Sequence, residues 1–237
     1  LHAARTRASD ALATYFYDTW EKLYAQLNHG AAYVYIGSAA GERALKNLAL
    51  RHLAIRDTNT IALIRAQYEH CDNMTDRIAA LSAMVNYFGD NAAPMLSDFY
   101  QRYAAEPLVI DKWFAVQAAS AHAFPEAMAE TLHELLAHPA FVNPNPNRLR
   151  SLIFTYCNAN PYQFHQTSGA GYEFWAQQVL NIDAKNPQVA SRLARSLEHW
   201  RDYAEPQRGL MHAALQRVSN APNLSQDVRE IIGKALA

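Results

Sequence analysis

Asn145-Pro146-Asn147-Arg148-Leu149-Arg150-Ser151-Leu152 and Asn186-Pro187-Gln188-Val189-Ala190-Ser191-Arg192 open in the same way. In each, the Asn side chain can accept a backbone N–H of a first helical turn. The Pro that follows suits the first helical position, because its missing N–H has no partner to lose there. Behind these openings Leu149, Leu152, Ile153 and Tyr156, and then Val189, Leu193, Leu197 and Trp200, recur at helical spacing. Both stretches read as capped amphipathic helices. The arginines are less ordinary. Arg148 and Arg150 lie close to a helix N-terminus, where the macrodipole disfavours a cation by roughly 0.3–1 kcal/mol. Two readings stand: a solvated or ion-paired arginine, or one placed to meet an anion such as a peptide carboxylate.

The same grammar extends along the chain. Ile78, Leu81, Val85 and Phe88 keep the helical period, as do Met128, Leu132 and Leu135, and Val228, Ile231, Ile232 and Ala235. Pro107, Pro125 and Pro206 mark further helix starts, and Ser38, Asn73 and Ser225 are candidate caps. Helices are expected over about 3–27, 41–55, 58–70, 74–88, 91–104, 107–121, 125–137, 146–158, 169–183, 187–201, 206–219 and 225–236. Only Tyr33-Val34-Tyr35-Ile36 resembles a strand, and one short strand has nothing to pair with, so a loop packed by aromatics is an equal reading. The predicted class is all-α: antiparallel helix pairs stacked as a curved, ARM/HEAT-like α-solenoid. No Gly/Ser/Pro tract divides it, so residues 1–237 read as a single helical domain. The aromatic run Tyr15, Phe16, Tyr17, Trp20 and Tyr24 is expected to pack along a helix.

Composition narrows the function. Of 237 residues half are hydrophobic and 18% charged, and 21 Lys+Arg balance 22 Asp+Glu. That balance leaves no basic footprint for nucleic acid or an anionic membrane surface, and no apolar run reaches the roughly 18 residues that span a bilayer. Cys71 and Cys157, without a CxxC spacing, read as two buried thiols of a reduced intracellular protein. The start at Leu1, directly in a helical pattern, suggests a fragment of a longer chain.

Motifs with chemistry are scarce. His133-Glu134-Leu135-Leu136-Ala137-His138 has one residue too many for HExxH. Four residues place two histidines about 40° apart on a helix, whereas five place them about 140° apart. These side chains are expected to be surface groups, and a small metal-hydrolase site is the weaker reading. Neither a GxxxxGK[ST] loop nor a GxSxG elbow is present. Ser168-Gly169-Ala170-Gly171 reads as a flexible turn before a helix, with an anion-holding turn as the alternative.

An ordered set of segments carries a resemblance. It comprises Ala44-Leu45-Lys46-Asn47-Leu48-Ala49-Leu50-Arg51, Asn73-Met74-Thr75-Asp76-Arg77-Ile78-Ala79-Ala80-Leu81 and Pro107-Leu108-Val109-Ile110-Asp111-Lys112-Trp113-Phe114. It continues through His138-Pro139-Ala140-Phe141, the two Asn-Pro openings and Gly171-Tyr172. From about residue 41 to the terminal Lys234-Ala235-Leu236-Ala237 the chain resembles the C-terminal helical domain of the bacterial aminopeptidase N family, zinc-dependent alanyl aminopeptidases of the gluzincin type. Residues 1–40 match more loosely.

The resemblance implies a non-catalytic domain of a cytoplasmic metallopeptidase that removes N-terminal residues from peptides. It also implies that the domain closes over the catalytic domain of the same polypeptide and restricts access to an internal cavity. Catalytic residues and metal ligands are expected to be absent from this chain, with zinc held in the parent enzyme. Arg150, Gln188 and Arg192 are implied as cavity-facing groups. Gln188 would sit near the peptide's first side chains, and the two arginines near its carboxylate end or backbone carbonyls. Arg148 reads as structural. If the family's first helices precede Leu1, an apolar face is expected on residues 1–30. The competing function is a free-standing helical-repeat adaptor that binds another protein.

Overall fold

Asn-Pro openings become helix starts because the Asn oxygen meets a real donor. Asn145 Oδ1 accepts from the N–H groups of Asn147 and Arg148 at 2.9 and 3.0 Å, and Asn186 Oδ1 from that of Val189 at 3.2 Å. Asn73 and Ser225 cap in the same manner, on Asp76 and Val228. The structure is a computed structural model and describes residues 2–121, 125–141 and 145–237. Its contacts divide into two compact units, Leu1–Val116 and Gln117–Ala237. Among the described residues there is no strand.

The first unit contains α1 (His2–Tyr15), α2 (Tyr17–Leu27), α3 (Gly37–Arg56), α4 (Thr60–His70), α5 (Met74–Tyr87), α6 (Ala93–Tyr103) and most of α7 (Pro107–Ala118). Helices α1 and α2 both lie on α3, and α4 and α5 pack as a pair beside it. Leu50, Leu53, Ile64, Leu81, Met84 and Phe99 form the apolar core. Each such side chain contributes about 1.5–3 kcal/mol on leaving water. A charged pair lies in the same interior. Lys46 Nζ bonds Asp76 Oδ2 at 2.7 Å, Asn47 Nδ2 donates to Asp76 Oδ1 at 2.8 Å, and Asn73 Nδ2 donates to Asp76 Oδ2 at 3.1 Å. Gln67 Nε2 completes the network on Asn47 Oδ1 and the Asp76 carbonyl.

The second unit holds α8 (Pro125–Ala137), α9 (Pro146–Leu149), a π turn Arg150–Phe154, α10 (Thr155–Ala159) and α11 (Pro161–Phe164). It continues with α12 (Ala170–Asp183), α13 (Pro187–Ala194), α14 (Gln207–Ser219) and α15 (Gln226–Leu236). Trp175, Tyr172, Phe164, Leu152, Leu193 and Leu215 are wholly or almost wholly buried. Helix α12 is central and packs on α11, α13 and α14. Gly171 permits this approach: a Cβ there would stand 2.2 Å from the Phe164 carbonyl oxygen. Gly169, the residue before α12, has φ +75°, which a side chain would strain.

Some boundaries move, each for a local reason. The helix expected over 3–27 breaks at Phe16, where the Leu12 carbonyl receives both the Phe16 N–H and the Trp20 indole N–H. Helix α3 begins at Gly37, so Ser38 is not its cap. Helix α7 stops at Ala118, because Asn160 Nδ2 takes the carbonyls of Ala118 and Ser120 at 3.0 and 2.8 Å. Helix α13 stops at Ala194 rather than near 201. There the Trp175 indole takes the Leu193 carbonyl at 2.9 Å, and the chain tightens into 3-10 turns Arg195–Leu197 and Trp200–Asp202.

The aromatic run divides. Tyr24 is buried and Trp20 stacks on His52 with ring centroids 4.5 Å apart, but Tyr15 is 83% exposed. Tyr33, Val34, Tyr35 and Ile36 lie in an exposed loop, with Tyr35 91% accessible. Cys157 is buried as expected, whereas Cys71 is only half-buried, and both are free thiols.

Candidate functional site

The two helix openings place four polar side chains in different circumstances. Arg148 is turned inward. It is 7% exposed, and its guanidinium donates to the Ala140 carbonyl. Its own carbonyl accepts from Ser151 Oγ at 2.9 Å. A buried cation bonded to backbone holds the 139–141 turn (Pro139–Phe141) against the helix, which is a structural task.

Arg150, two residues on, is exposed. Its Nη1 donates to Asn147 Oδ1 at 3.1 Å. The π turn starts here, and the Arg150 carbonyl accepts from both the backbone N–H and the hydroxyl of Thr155. Gln188 and Arg192 are exposed on α13. Four residues apart, they share one face of that helix, while Val189, Ala190, Leu193 and Ala194 bury the other. Ser191 Oγ donates to the Gln188 carbonyl at 3.1 Å, and among the described residues the Arg192 guanidinium has no hydrogen-bond or ion-pair partner. Gln188 and Arg192 are therefore neighbours. No hydrogen bond or ion pair joins Arg150 to either of them among the described residues.

The spaced histidines do not form a metal centre. Helix α8 ends at Ala137, leaving His138 outside it. His138 Nδ1 accepts the Ala140 N–H at 3.1 Å, and burial followed by the Arg148 charge lowers its pKa. His133 and Glu134 are exposed on α8. Among the described residues no three His, Cys, Asp or Glu side chains converge as a metal donor set.

Beside His133 lies a cleft of about 210 Å³, lined by Leu132, Leu136, Tyr156, Gln163, Gln166 and Phe174 among others. Its walls come from α8 and from the consecutive segments α10, α11 and α12, so no single motif announces it. The Asn160-Pro161 opening of α11 lies outside the predicted helix starts and carries the same signature as the other two: Asn160 Oδ1 accepts the Gln163 N–H at 3.2 Å. A second polar cluster lies close by. His165 Nδ1 is 2.9 Å from Tyr172 Oη and its Nε2 is 3.2 Å from Tyr203 Oη, and burial lowers the imidazole pKa to about 4.

Residues 1–237 match the family described as "Domain of unknown function (DUF3458_C) ARM repeats". Aminopeptidase N of Caulobacter vibrioides is 39% identical over 237 residues, 100% of this chain and 27% of that protein. Aminopeptidase N of Escherichia coli is 36% identical over 235 residues, 98% of this chain and 26% of that protein. The crystal structure of Legionella pneumophila aminopeptidase A in complex with aspartic acid gives a TM-score of 0.88 at 26% identity. That match covers 99% of this chain and 28% of the other. The chain thus spans about a quarter of the length of the curated relatives it matches, in their C-terminal part. The expected all-α, ARM-like class and the resemblance to the C-terminal domain of aminopeptidase N both hold.

Proposed function

Because the chain belongs to the DUF3458_C family of ARM-repeat domains, we propose that it is the non-catalytic C-terminal domain of a zinc-dependent aminopeptidase. One observation carries the reading: the whole chain aligns with about the last quarter of proteins named Aminopeptidase N. Residues 1–237 then act as one helical domain that closes over the catalytic domain of the same polypeptide. The exposed apolar side chains Leu12, Tyr15, Phe16, Tyr35 and Ile36 support such a docking role, since covering them removes apolar surface from water.

In this reading the metal chemistry, an activated water, would be supplied by zinc held elsewhere in the polypeptide. This chain supplies shape and charge. Arg150 and Arg192 meet the carboxylate end or backbone carbonyls of a bound peptide, and Gln188 lies near its first side chains. Exposure of all three supports this, as does the contrast with Arg148, whose guanidinium is committed to a backbone carbonyl. An Arg–carboxylate bond is worth about 1.5–3 kcal/mol once desolvated. Among the described residues no helix is long and apolar enough to cross a membrane, and the proposed compartment is the cytoplasm.

The test is kinetic. In the full-length protein Arg150→Ala or Arg192→Ala should raise KM for a peptide with a free carboxylate, by a factor of roughly 10. An aminoacyl chromogenic substrate lacking that carboxylate should be spared. Equal losses on both substrates would refute carboxylate recognition. The chain expressed alone should not turn over the chromogenic substrate with or without added zinc, and metal-dependent turnover would refute the non-catalytic assignment.

A further inference from the structure

Arg150 is tethered at both ends. Its guanidinium donates to Asn147 Oδ1 at 3.1 Å, and its carbonyl receives the backbone N–H of Thr155 together with Thr155 Oγ1, the latter at 3.2 Å. The two other arginines at these helix openings differ. Arg148 is buried on a backbone carbonyl, and Arg192 has no partner among the described residues. A solvated arginine on a helix surface needs neither restraint, because water satisfies all five of its donors.

The restraints do not serve the helix either. The Asn147 backbone N–H is already taken by Asn145 Oδ1 at 2.9 Å, so the Asn147 side chain is not needed as a cap. Thr155 bonds the carbonyl five residues back, and this longer reach makes the Arg150–Phe154 turn a π turn. Such a turn gives up regular α geometry, and it changes the direction in which the residues before and after it project. Single π turns inside α-helices are frequent at functional sites. The buried side of this segment is ordinary: Leu149, Leu152 and Ile153 pack inward as an amphipathic helix requires. The altered direction therefore falls on the exposed side, where Arg150 stands.

We propose that Asn147 and Thr155 are positioning residues that fix the direction of the Arg150 guanidinium and so set the affinity for the carboxylate end of a peptide. The inference rests on the assignment of Arg150 to the substrate cavity. Neither residue touches substrate in this scheme. Asn147 restrains the far end of the side chain and Thr155 restrains the backbone from which it projects. Holding the guanidinium in place before the substrate arrives removes an ordering cost from binding, which lowers KM and leaves kcat unchanged.

The test uses the full-length protein with Asn147→Ala, Thr155→Val and Arg150→Ala, each assayed on a free-carboxylate tripeptide and on an aminoacyl chromogenic substrate. Asn147→Ala should raise KM for the tripeptide by roughly three- to tenfold, the scale of one lost hydrogen bond, with kcat unchanged. Thr155→Val keeps the branched shape and should raise the same KM by about twofold, within the lower part of that scale. Both variants should leave the chromogenic substrate and the thermal midpoint untouched. If Arg150→Ala discriminates between the substrates and Asn147→Ala does not, the positioning role is overturned and the cavity assignment stands. If Arg150→Ala affects both substrates equally, the cavity assignment fails and takes the positioning role with it. An Asn147→Ala variant that lowers the thermal midpoint and weakens both substrates alike would show a purely structural residue and would also overturn the proposal. A silent Thr155→Val beside a selective Asn147→Ala would remove Thr155 alone.

Discussion

The two units bury polar groups with a different balance of partners. In the first, side chains bond one another: Lys46, Asn47 and Asn73 converge on the Asp76 carboxylate, and Gln67 closes the circuit. In the second, several buried side chains bond backbone instead. Asn160 holds the carbonyls of Ala118 and Ser120, Trp175 that of Leu193 and Arg148 that of Ala140, while Asp183 Oδ2 accepts the Ser225 N–H. The surfaces differ too. Among the described residues the large exposed apolar side chains fall in the first unit except Tyr162 and Tyr203. A side-chain network depends on every member, whereas a side-chain-to-backbone staple depends on one. The first interior should therefore be the more brittle of the two.

The largest effect tests that brittleness. Asp76→Ala leaves the buried Lys46 ammonium unpaired and should cost about 3–5 kcal/mol. Asn160→Ala frees two carbonyls and should cost about 1–3 kcal/mol. Urea denaturation followed by hydrogen exchange resolves the two units, and equal losses would break the contrast. Next, Gly171→Ala drives a Cβ into the Phe164 carbonyl and should cost about 3 kcal/mol, the upper end for overpacking, because the obstacle is backbone. A loss under about 1 kcal/mol would mean that α11 moves aside freely, below the usual overpacking range.

Acid provides a smaller effect, and its sign follows from burial. The folded His165 imidazole has its pKa lowered from 6.5 to about 4. Between those values the unfolded chain binds the proton and the folded chain does not. The His165 contribution is thus complete above pH 6.5 and is lost as the pH falls toward 4. Urea midpoints at pH 7.5 and pH 4.5 should converge in His165→Asn relative to the unsubstituted protein. An unchanged difference would place the acid sensitivity elsewhere, with His52, whose pKa burial also lowers, as the next candidate. The smallest effect concerns the surface. Tyr35→Ser with Ile36→Ser should change folding free energy by less than about 0.5 kcal/mol. The same pair should reduce self-association of the isolated chain in sedimentation, and an unchanged sedimentation profile would separate exposure from stickiness.

Local chemistry explains what was legible beforehand. Helix starts at Pro107, Pro125, Pro146 and Pro187 were readable because capping and the missing proline donor act within one turn. The ends at Phe16, Ala118 and Ala194 were not, because each is set by a distant or out-of-register donor: the Trp20 indole, the Asn160 amide and the Trp175 indole. The same division runs through the candidate site. Arg148 was separable from Arg150 only as a suspicion, since burial against Ala140 depends on how a turn folds back. Gln188 and Arg192 share a helix face by spacing alone. The pairing of Arg150 with Asn147 lay in the sequence as an i, i+3 relation, but the π turn beyond it has no sequence signature.

Among the described residues of the second unit, three helices open on Asn followed directly by Pro, at Asn145, Asn160 and Asn186. The usual ageing of asparagine begins when the next residue's backbone nitrogen attacks the side-chain amide and closes a succinimide ring. Proline has no N–H with which to begin that reaction. At these three positions the residue that keeps the cap in place also protects it from deamidation, so the helix starts should keep their caps as the protein ages.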